Sequence, residues 1–399
     1  ANLTVNGAQD VALTGATSVT GDTTLTAGHD LTIGGTLAGQ GAATLSAGHD
    51  VIAGGSSGFV KDANVNAAND LSVTGALQGA GVSLTAGHSV ALNNVQANAA
   101  LQVAANGGTL AVNGLVASLS TGSLTSIGDT SINGALQSAN ALSVTSGGNT
   151  SIAGSVASNG NVTLTNAAGS LTSTGNIQSG DNLLINAAQS VDLGTQGTSA
   201  LGDLTVNAGQ NLTMNGSVVA QGNGTLTAGG SIAGAATSAF GLAANVSSGG
   251  DTNLTGSLRG GTVQTNAGGS ATVHDVQAAS SLALAATQDL NITGAVTGGA
   301  GVTVNAGQNI GISGSIQSAN DTTLTAQSGN VGSTGTIASN GAFNVQAGSD
   351  INLGGTTTAA LDTTLNAARD VNVTGMLAGQ GQGIVTAGRD IGGAGTMTF

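Results

Sequence analysis

The chain has 399 residues, with 69 Gly, no Pro, Cys, Trp or Tyr, and only four Lys or Arg against 18 acids, for a formal net charge of −14. That composition excludes basic nucleic-acid binders, which need Lys/Arg clusters for phosphate. It also excludes disulfide scaffolds and thiolate metal sites, collagen-like chains, and spanning helices, because no apolar run approaches about 18 residues. Disorder is excluded as well, since hydrophobic residues make up 39% and mean hydropathy is +0.24.

The first elements set the pattern for the rest. Leu3–Asp10, Thr23–Asp30, Ala43–Asp50 and Ala63–Asp70 align without gaps, and their closing acids fall every 20 residues. Near the other end Asp350, Asp370 and Asp390 repeat the same step. One column runs through the whole chain: Val5, Leu25, Leu45, Val65, Leu84, Val103, Leu124, Val144, Leu164, Ile185, Val206, Leu226, Val246, Thr265, Leu284, Val304, Leu324, Val345, Leu365 and Val385. Of its 20 positions 19 are Leu, Val or Ile, and every spacing is 19, 20 or 21, so insertions are absorbed one residue at a time. The expectation is a single continuous repeat region over residues 1–399, with about 20 repeats of 19–21 residues.

Within a repeat the period is two. In Thr24-Leu25-Thr26-Ala27 the Leu and Ala share one face, and in Leu31-Thr32-Ile33 the two apolar residues do. Alternation of this kind is the strand signal. Ala-Gly-His-Asp and Gly-Gly turns separate strands of three to five residues. Gly is expected there to supply positive φ, and Asp or Asn to close turns on its own backbone. Small residues at Ala27, Ala47, Ala67, Ala86, Ala208, Ala228, Ala306, Ala347, Ala367 and Ala387 fit a tight inward corner.

One repeat cannot stand alone. About four inward apolar side chains, worth roughly 1.5–3 kcal/mol each, do not offset the roughly 1–2 kcal/mol per residue needed to fix about 20 backbones. Stacked copies share a core and pair every strand. Strands one turn apart then run parallel, with right-handed crossovers. The predicted fold is all-β, a right-handed parallel β-helix of about 20 coils, about 95 Å long at roughly 4.8 Å per coil.

The motifs Ala-Gly-His-Asp-Leu-Thr-Ile-Gly-Gly (27–35), Ala-Gly-Gln-Asn-Leu-Thr-Met-Asn-Gly (208–216) and Ala-Ala-Arg-Asp-Val-Asn-Val-Thr-Gly (367–375) resemble filamentous-haemagglutinin repeats. Those repeats form the shafts of large bacterial two-partner-secretion exoproteins, including adhesins and contact-dependent-inhibition proteins. The resemblance covers essentially all 399 residues. It implies a secreted or cell-surface β-helical stalk, exported through an outer-membrane transporter partner. The family's secretion domain carries Asn-Pro-Asn-Gly-type signals, and this chain has no Pro. No signal peptide is visible either. The expectation is an interior segment of a larger exoprotein.

Several residue sets bear on chemistry. Asp10, Asp30, Asp50, Asp70, Asp129, Asp251, Asp289, Asp350, Asp370 and Asp390 occupy one equivalent turn position. A carboxylate per coil offers Ca²⁺ oxygen ligands, but turn closure and solubility account for the ladder. His29, His49 and His88 precede that position, which elsewhere holds Gln9, Asn69, Gln210, Gln288, Gln308, Arg369 and Arg389. A site so permissive reads as an exposed polar turn, so no metal ligand set is assigned. His274 stands beside Asp275 without a third partner. Lys61 and Arg259 are far apart along the stack, and there is no Glu or Tyr, so neither the acid-and-base groove of a polysaccharide-active β-helix nor a Ser/His/Asp constellation is visible. The pairs Thr24/Thr26, Thr163/Thr165, Thr225/Thr227 and Thr323/Thr325 face outward, as on ice-binding β-helices, but most coils lack them.

These observations favour the structural shaft of a secreted or cell-surface bacterial adhesin or related exoprotein, projecting a distal receptor-binding or toxic region. A second reading is a binding module whose exposed Thr/Ser/Asn faces contact carbohydrate or, less readily, ice. A polysaccharide-active enzyme is third, and enzymatic activity is not expected. Expected partners are the export transporter and, through other parts of the parent protein, a host or neighbouring-cell receptor or glycan. No nucleic acid, transmembrane segment or cofactor is expected.

Overall fold

A computed structural model describes residues 1–399. The chain divides into two compact units, Ala1–Gly202 and Asp203–Phe399. Each is an all-β parallel solenoid of ten turns without a helix, ten repeats of one strand pattern. The second turn shows it: a first strand at Thr23–Ala27, a second at Leu31–Ile33 and a third at Leu37–Gly39. The first corner is Gly28–Asp30, the second Gly34–Thr36 and the third Gln40–Ala42.

First strands pair with first strands of the next turn, in parallel, at an offset of one repeat. Leu3 to Gly7 pair with Thr23 to Ala27 at an offset of 20, Ala63 with Val82 at 19, and Leu101 with Gly122 at 21. In the second unit Gly224 pairs with Ala244 and Val302 with Thr322. Second and third strands form their own ladders, and in four turns they run together as one long strand: Leu71–Gly79, Val90–Ala97, Thr252–Gly260 and Ala271–Ala278. Two of these pairings shift register between Val73 and Ala76 and between Leu254 and Ser257, where the second corner is flattened.

The predicted column is the core. Leu25, Leu84, Leu124, Ile185, Val206, Val304 and Leu365 have no exposed surface, and only Val5 and Val385, in the outermost turns, are partly exposed. Leu31, Ile33 and Leu37 complete the interior of the second turn. Burying each such side chain contributes roughly 1.5–3 kcal/mol. Thr265 is the one polar member of the column. It is 1% exposed, and its Oγ1 has no hydrogen-bond partner. Three of the four Phe side chains are also interior, and two fill space left by glycine. A Cβ on Gly39 would stand 2.7 Å from the ring of Phe59, and one on Gly224 would overlap the ring of Phe240.

Two expectations about the turns need correction. Turn glycines do not supply positive φ, which occurs only at Gly234 (151°) and Gly393 (126°). Their role is close approach. Along the second corner Gly35, Gly55 and Gly75 stack so that a Cβ on each would overlap the carbonyl oxygen of the glycine one turn earlier, and Gly134, Gly154 and Gly175 repeat the arrangement. Nor does Asp close a turn on its own backbone. Its carboxylate reaches across to the following turn.

Candidate functional site: the side-chain ladders at the corners

The first corner carries the aspartate column. Its side chain points along the stack because the corner backbone leaves one amide per turn without a backbone acceptor. The Asp30 amide donates to Asp10 Oδ1 (3.1 Å), Asp50 to Asp30 (3.0 Å), Asp70 to Asp50 (3.0 Å), and Ser89 to Asp70 (2.9 Å). Where the column changes residue the bond persists. The Ser170 amide donates to Asn149 Oδ1 (2.9 Å) and the Ser190 amide to Ser170 Oγ (3.2 Å). In the second unit Asn309 donates to Asp289, Asp350 to Asn330, Asp370 to Asp350 and Asp390 to Asp370. All that the position requires is a side-chain acceptor, which Asp, Asn and Ser all provide.

The residue before the aspartate reaches back to the carboxylate of the preceding turn. His29 Nδ1 lies 3.2 Å from Asp10 Oδ1, His49 Nδ1 2.9 Å from Asp30 Oδ1, and His88 Nδ1 2.8 Å from Asp70 Oδ1. Asn69 Nδ2 donates to Asp50 Oδ1 at 2.8 Å. Arg369 pairs with Asp350 at 3.3 Å, and Arg389 makes a two-pronged contact with Asp370. His, Asn and Arg are interchangeable here because each offers a donor at similar reach.

The electrostatics follow. The Asp30 carboxyl is held below its usual 3.8, first by the Asp50 amide and then by His49. The Asp70 carboxyl is lowered by the Ser89 amide and by His88. His49 is raised above 6.5 by its bond to Asp30. Asp370 is lowered chiefly by Arg389, whose own value is raised.

Of the remaining sequence candidates, His274 contacts Thr293 Oγ1 (3.2 Å) rather than a catalytic partner. His88 touches both Asp70 and Ser89 Oγ (3.2 Å), but through the same nitrogen. A nucleophile relay needs opposite ring nitrogens, so this trio cannot pass a proton from serine to carboxylate. Arg259 faces Gln277 one turn away. The Thr pairs at 24/26, 163/165, 225/227 and 323/325 face outward, beside the buried Leu of each strand.

Sequence reasoning missed two further sets. The third corner has its own acceptor ladder: the Asp22 amide donates to Asn2 Oδ1 (3.0 Å), Ala42 to Asp22 (2.9 Å), Gly81 to Asp62 (2.8 Å), Ala342 to Asp321 (2.8 Å) and Gln382 to Asp362 (2.8 Å). Its signal was visible in Asp-Thr-Thr-Leu, which occurs at 22–25, 321–324 and 362–365. The other set is a run of buried serines ending third strands. Ser118 Oγ lies within hydrogen-bond reach of the Ala99 and Thr121 carbonyls, Ser179 Oγ of those of Gly160 and Asn182, and Ser318 Oγ of those of Ala300 and Asp321, so that each hydroxyl can donate to either. They tie corner carbonyls of consecutive turns from inside.

In the first unit an open groove of about 670 Å³ runs along the third-strand face, lined by Gln137, Gln178, Leu119 and Leu201 among others. No protein-family model, curated protein or solved structure matches the chain.

Proposed function

We propose that the chain is a structural shaft, a segment of a secreted or cell-surface bacterial adhesin or related exoprotein, as its likeness to filamentous-haemagglutinin repeats implies. One observation carries this reading. The polar side chains of the corners are committed to joining one turn to the next, at two corners and from inside the third strand. Those groups stiffen a stack and leave few free for chemistry. A shaft works by length, each turn adding roughly 4.8 Å of reach.

The test displays the chain on a cell surface with a known binding domain fused at its far end. Removing residues 43–62, one whole repeat, or several such repeats is expected to shorten reach and weaken cell-to-cell capture, while the fused domain's affinity in solution stays the same. Capture independent of the number of turns would sink the shaft reading. The groove over Gln137 and Gln178 favours a second reading, carbohydrate contact along the stack. Saturable binding of the isolated chain to a glycan array, abolished by Gln137→Ala with Gln178→Ala, would establish it in place of the first.

A further inference from the structure

His29 and His49 occupy the same place in consecutive turns. Their rings are stacked with centroids 4.7 Å apart and planes 10° apart. Asp30 lies between them and serves both, Oδ2 at 3.1 Å from His29 Nδ1 and Oδ1 at 2.9 Å from His49 Nδ1. Asp10 and Asp50 flank the set, at 3.2 Å from His29 Nδ1 and 3.4 Å from His49 Nδ1. One ligand atom from each of His29, Asp30 and His49 can be chosen so that all three lie within 4.8 Å of one another.

We propose that His29, Asp30 and His49 form a surface site for a divalent transition-metal ion of the zinc class. Two imidazoles and a carboxylate suit zinc, copper(II) or nickel(II). Calcium and magnesium are disfavoured, since they require mostly oxygen ligands, six or more for calcium. In a tetrahedral centre with bonds of about 2.1 Å the ligand atoms stand about 3.4 Å apart. The two nitrogen-to-carboxylate separations, 3.1 Å to Oδ2 and 2.9 Å to Oδ1, are of that order but involve different oxygens, so the Asp30 carboxylate must turn to offer one of them to both nitrogens. The rings must tilt toward each other out of their parallel stack, and both are on an exposed corner, with 52% and 44% of their side-chain surface open. That exposure leaves room for water to complete the shell.

Charge supplies an independent reason. Asp10, Asp30 and Asp50 follow one another on this corner answered by imidazoles, the Asn69 side-chain amide and backbone amides but by no guanidinium, whereas Asp350 and Asp370 on the same column are answered by Arg369 and Arg389. A dication does at the histidines what guanidinium does at the arginines. His88 is an internal control. It pairs with Asp70, but the preceding turn offers Asn69 in place of a second imidazole.

The experiment uses the full chain freed of metal by chelator and titrated with zinc chloride at neutral pH by calorimetry. One saturable site is expected. His49→Gln should weaken it at least about tenfold, as should His29→Gln and Asp30→Asn. Gln already fills this position at Gln9 and Gln308, and Asn keeps the acceptor for the Asp50 amide, so these variants preserve the fold. His88→Gln should bind as the parent does. Copper(II) added in place of zinc should show two coordinated nitrogens by electron paramagnetic resonance. Absence of saturable binding, equal weakening by His88→Gln, or a copper spectrum without imidazole nitrogen would each overturn the proposal.

Discussion

Replacing Gly154 with alanine separates two explanations for the abundance of glycine. If glycine served only to free the backbone, alanine would be tolerated wherever φ is negative, and would stabilise by about 0.4–1 kcal/mol through the unfolded chain. Gly154 has no positive φ. A Cβ there would nevertheless overlap the Gly134 carbonyl oxygen and stand 2.6 Å from the Asn133 carbonyl oxygen, where real side-chain carbons keep at least 3.0 Å. Both obstacles are backbone, held by the ladder of the turn before, and cannot rotate away. The Asn133 contact alone demands a shift of 0.4 Å (3.0 less 2.6). Overpacking of this kind costs about 1–3 kcal/mol, so the net effect is destabilising. Gly58 is the matched control, with nothing within 4 Å of its Cβ position. Repeat arrays do not unfold in a single step, so the assay is amide hydrogen exchange over Thr130–Ile132 and Thr150–Ile152. With the unfolded-chain gain subtracted, Gly154→Ala is expected to lower protection there by up to about 70-fold, at tenfold per 1.4 kcal/mol, and Gly58→Ala to leave its own neighbourhood unchanged or better protected. Equal behaviour of the two variants would refute the close-approach argument.

Leu164→Asp places a carboxylate at a site 1% exposed, where an unpaired charge is costly; limited proteolysis is expected to cut near that turn, and undiminished resistance would contradict the inward column. Thr265→Val removes a buried hydroxyl with no partner and should stabilise its unit by about 1–3 kcal/mol, read as slower exchange over Thr262–Ala267. The pH response of the first four turns, measured on metal-free protein, follows from the shifted groups. Asp30 and Asp70 titrate below 3.8, so their contribution is complete above that value and is lost as pH falls through their folded pKa values. His49 titrates above 6.5, so its contribution is complete below 6.5 and is lost as pH rises through its folded pKa. Protection of Leu31–Ile33 and Val51–Ala53, corrected for intrinsic exchange, should therefore peak between pH 3.8 and 6.5, and a monotonic rise to alkaline pH would contradict the His49–Asp30 assignment.

What the sequence shows and what it hides divide along a physical line. Leu25, Leu45 and Leu164 announce an interior column because burial demands an apolar side chain at a fixed interval, and that demand is written in residue type. The parallel pairing of Thr23–Ala27 with Ala43–Ala47 follows from the same interval. Glycine is ambiguous in sequence. Gly55 and Gly234 look alike, and a Cβ on either would overlap a carbonyl of the preceding turn, yet only Gly234 takes positive φ. Aspartate is ambiguous in the same way, because an acceptor for its own turn and an acceptor for the next have one spelling. Asn166, buried and bonded to the Gly148 carbonyl and Thr150 Oγ1, takes a place where Ala27 or Ala47 would be read; its position two after Leu164 marks it as inward, but its residue type does not. The equivalence of His29 and His49 is legible from their spacing of 20. That Asp30 serves both rings is not, since it depends on which way a carboxylate turns.

The side-chain ladders have a direction. At the first and third corners the acceptor belongs to the earlier turn and the donating amide to the later one: Asp10 accepts from Asp30, Asp22 from Ala42, Asp321 from Ala342 and Asp370 from Asp390. A chain that emerges N-terminus first thus presents each new turn with a template whose acceptors are already in place. Growth then needs only the closure of a loop of about 20 residues at every step, a cost that does not rise with the number of turns completed. Folding of such a stack is expected to proceed as a zipper rather than a search. A lost acceptor at Asp50 is then expected to delay the turns that follow it and leave the earlier ones intact, an order that pulsed hydrogen exchange during refolding would read.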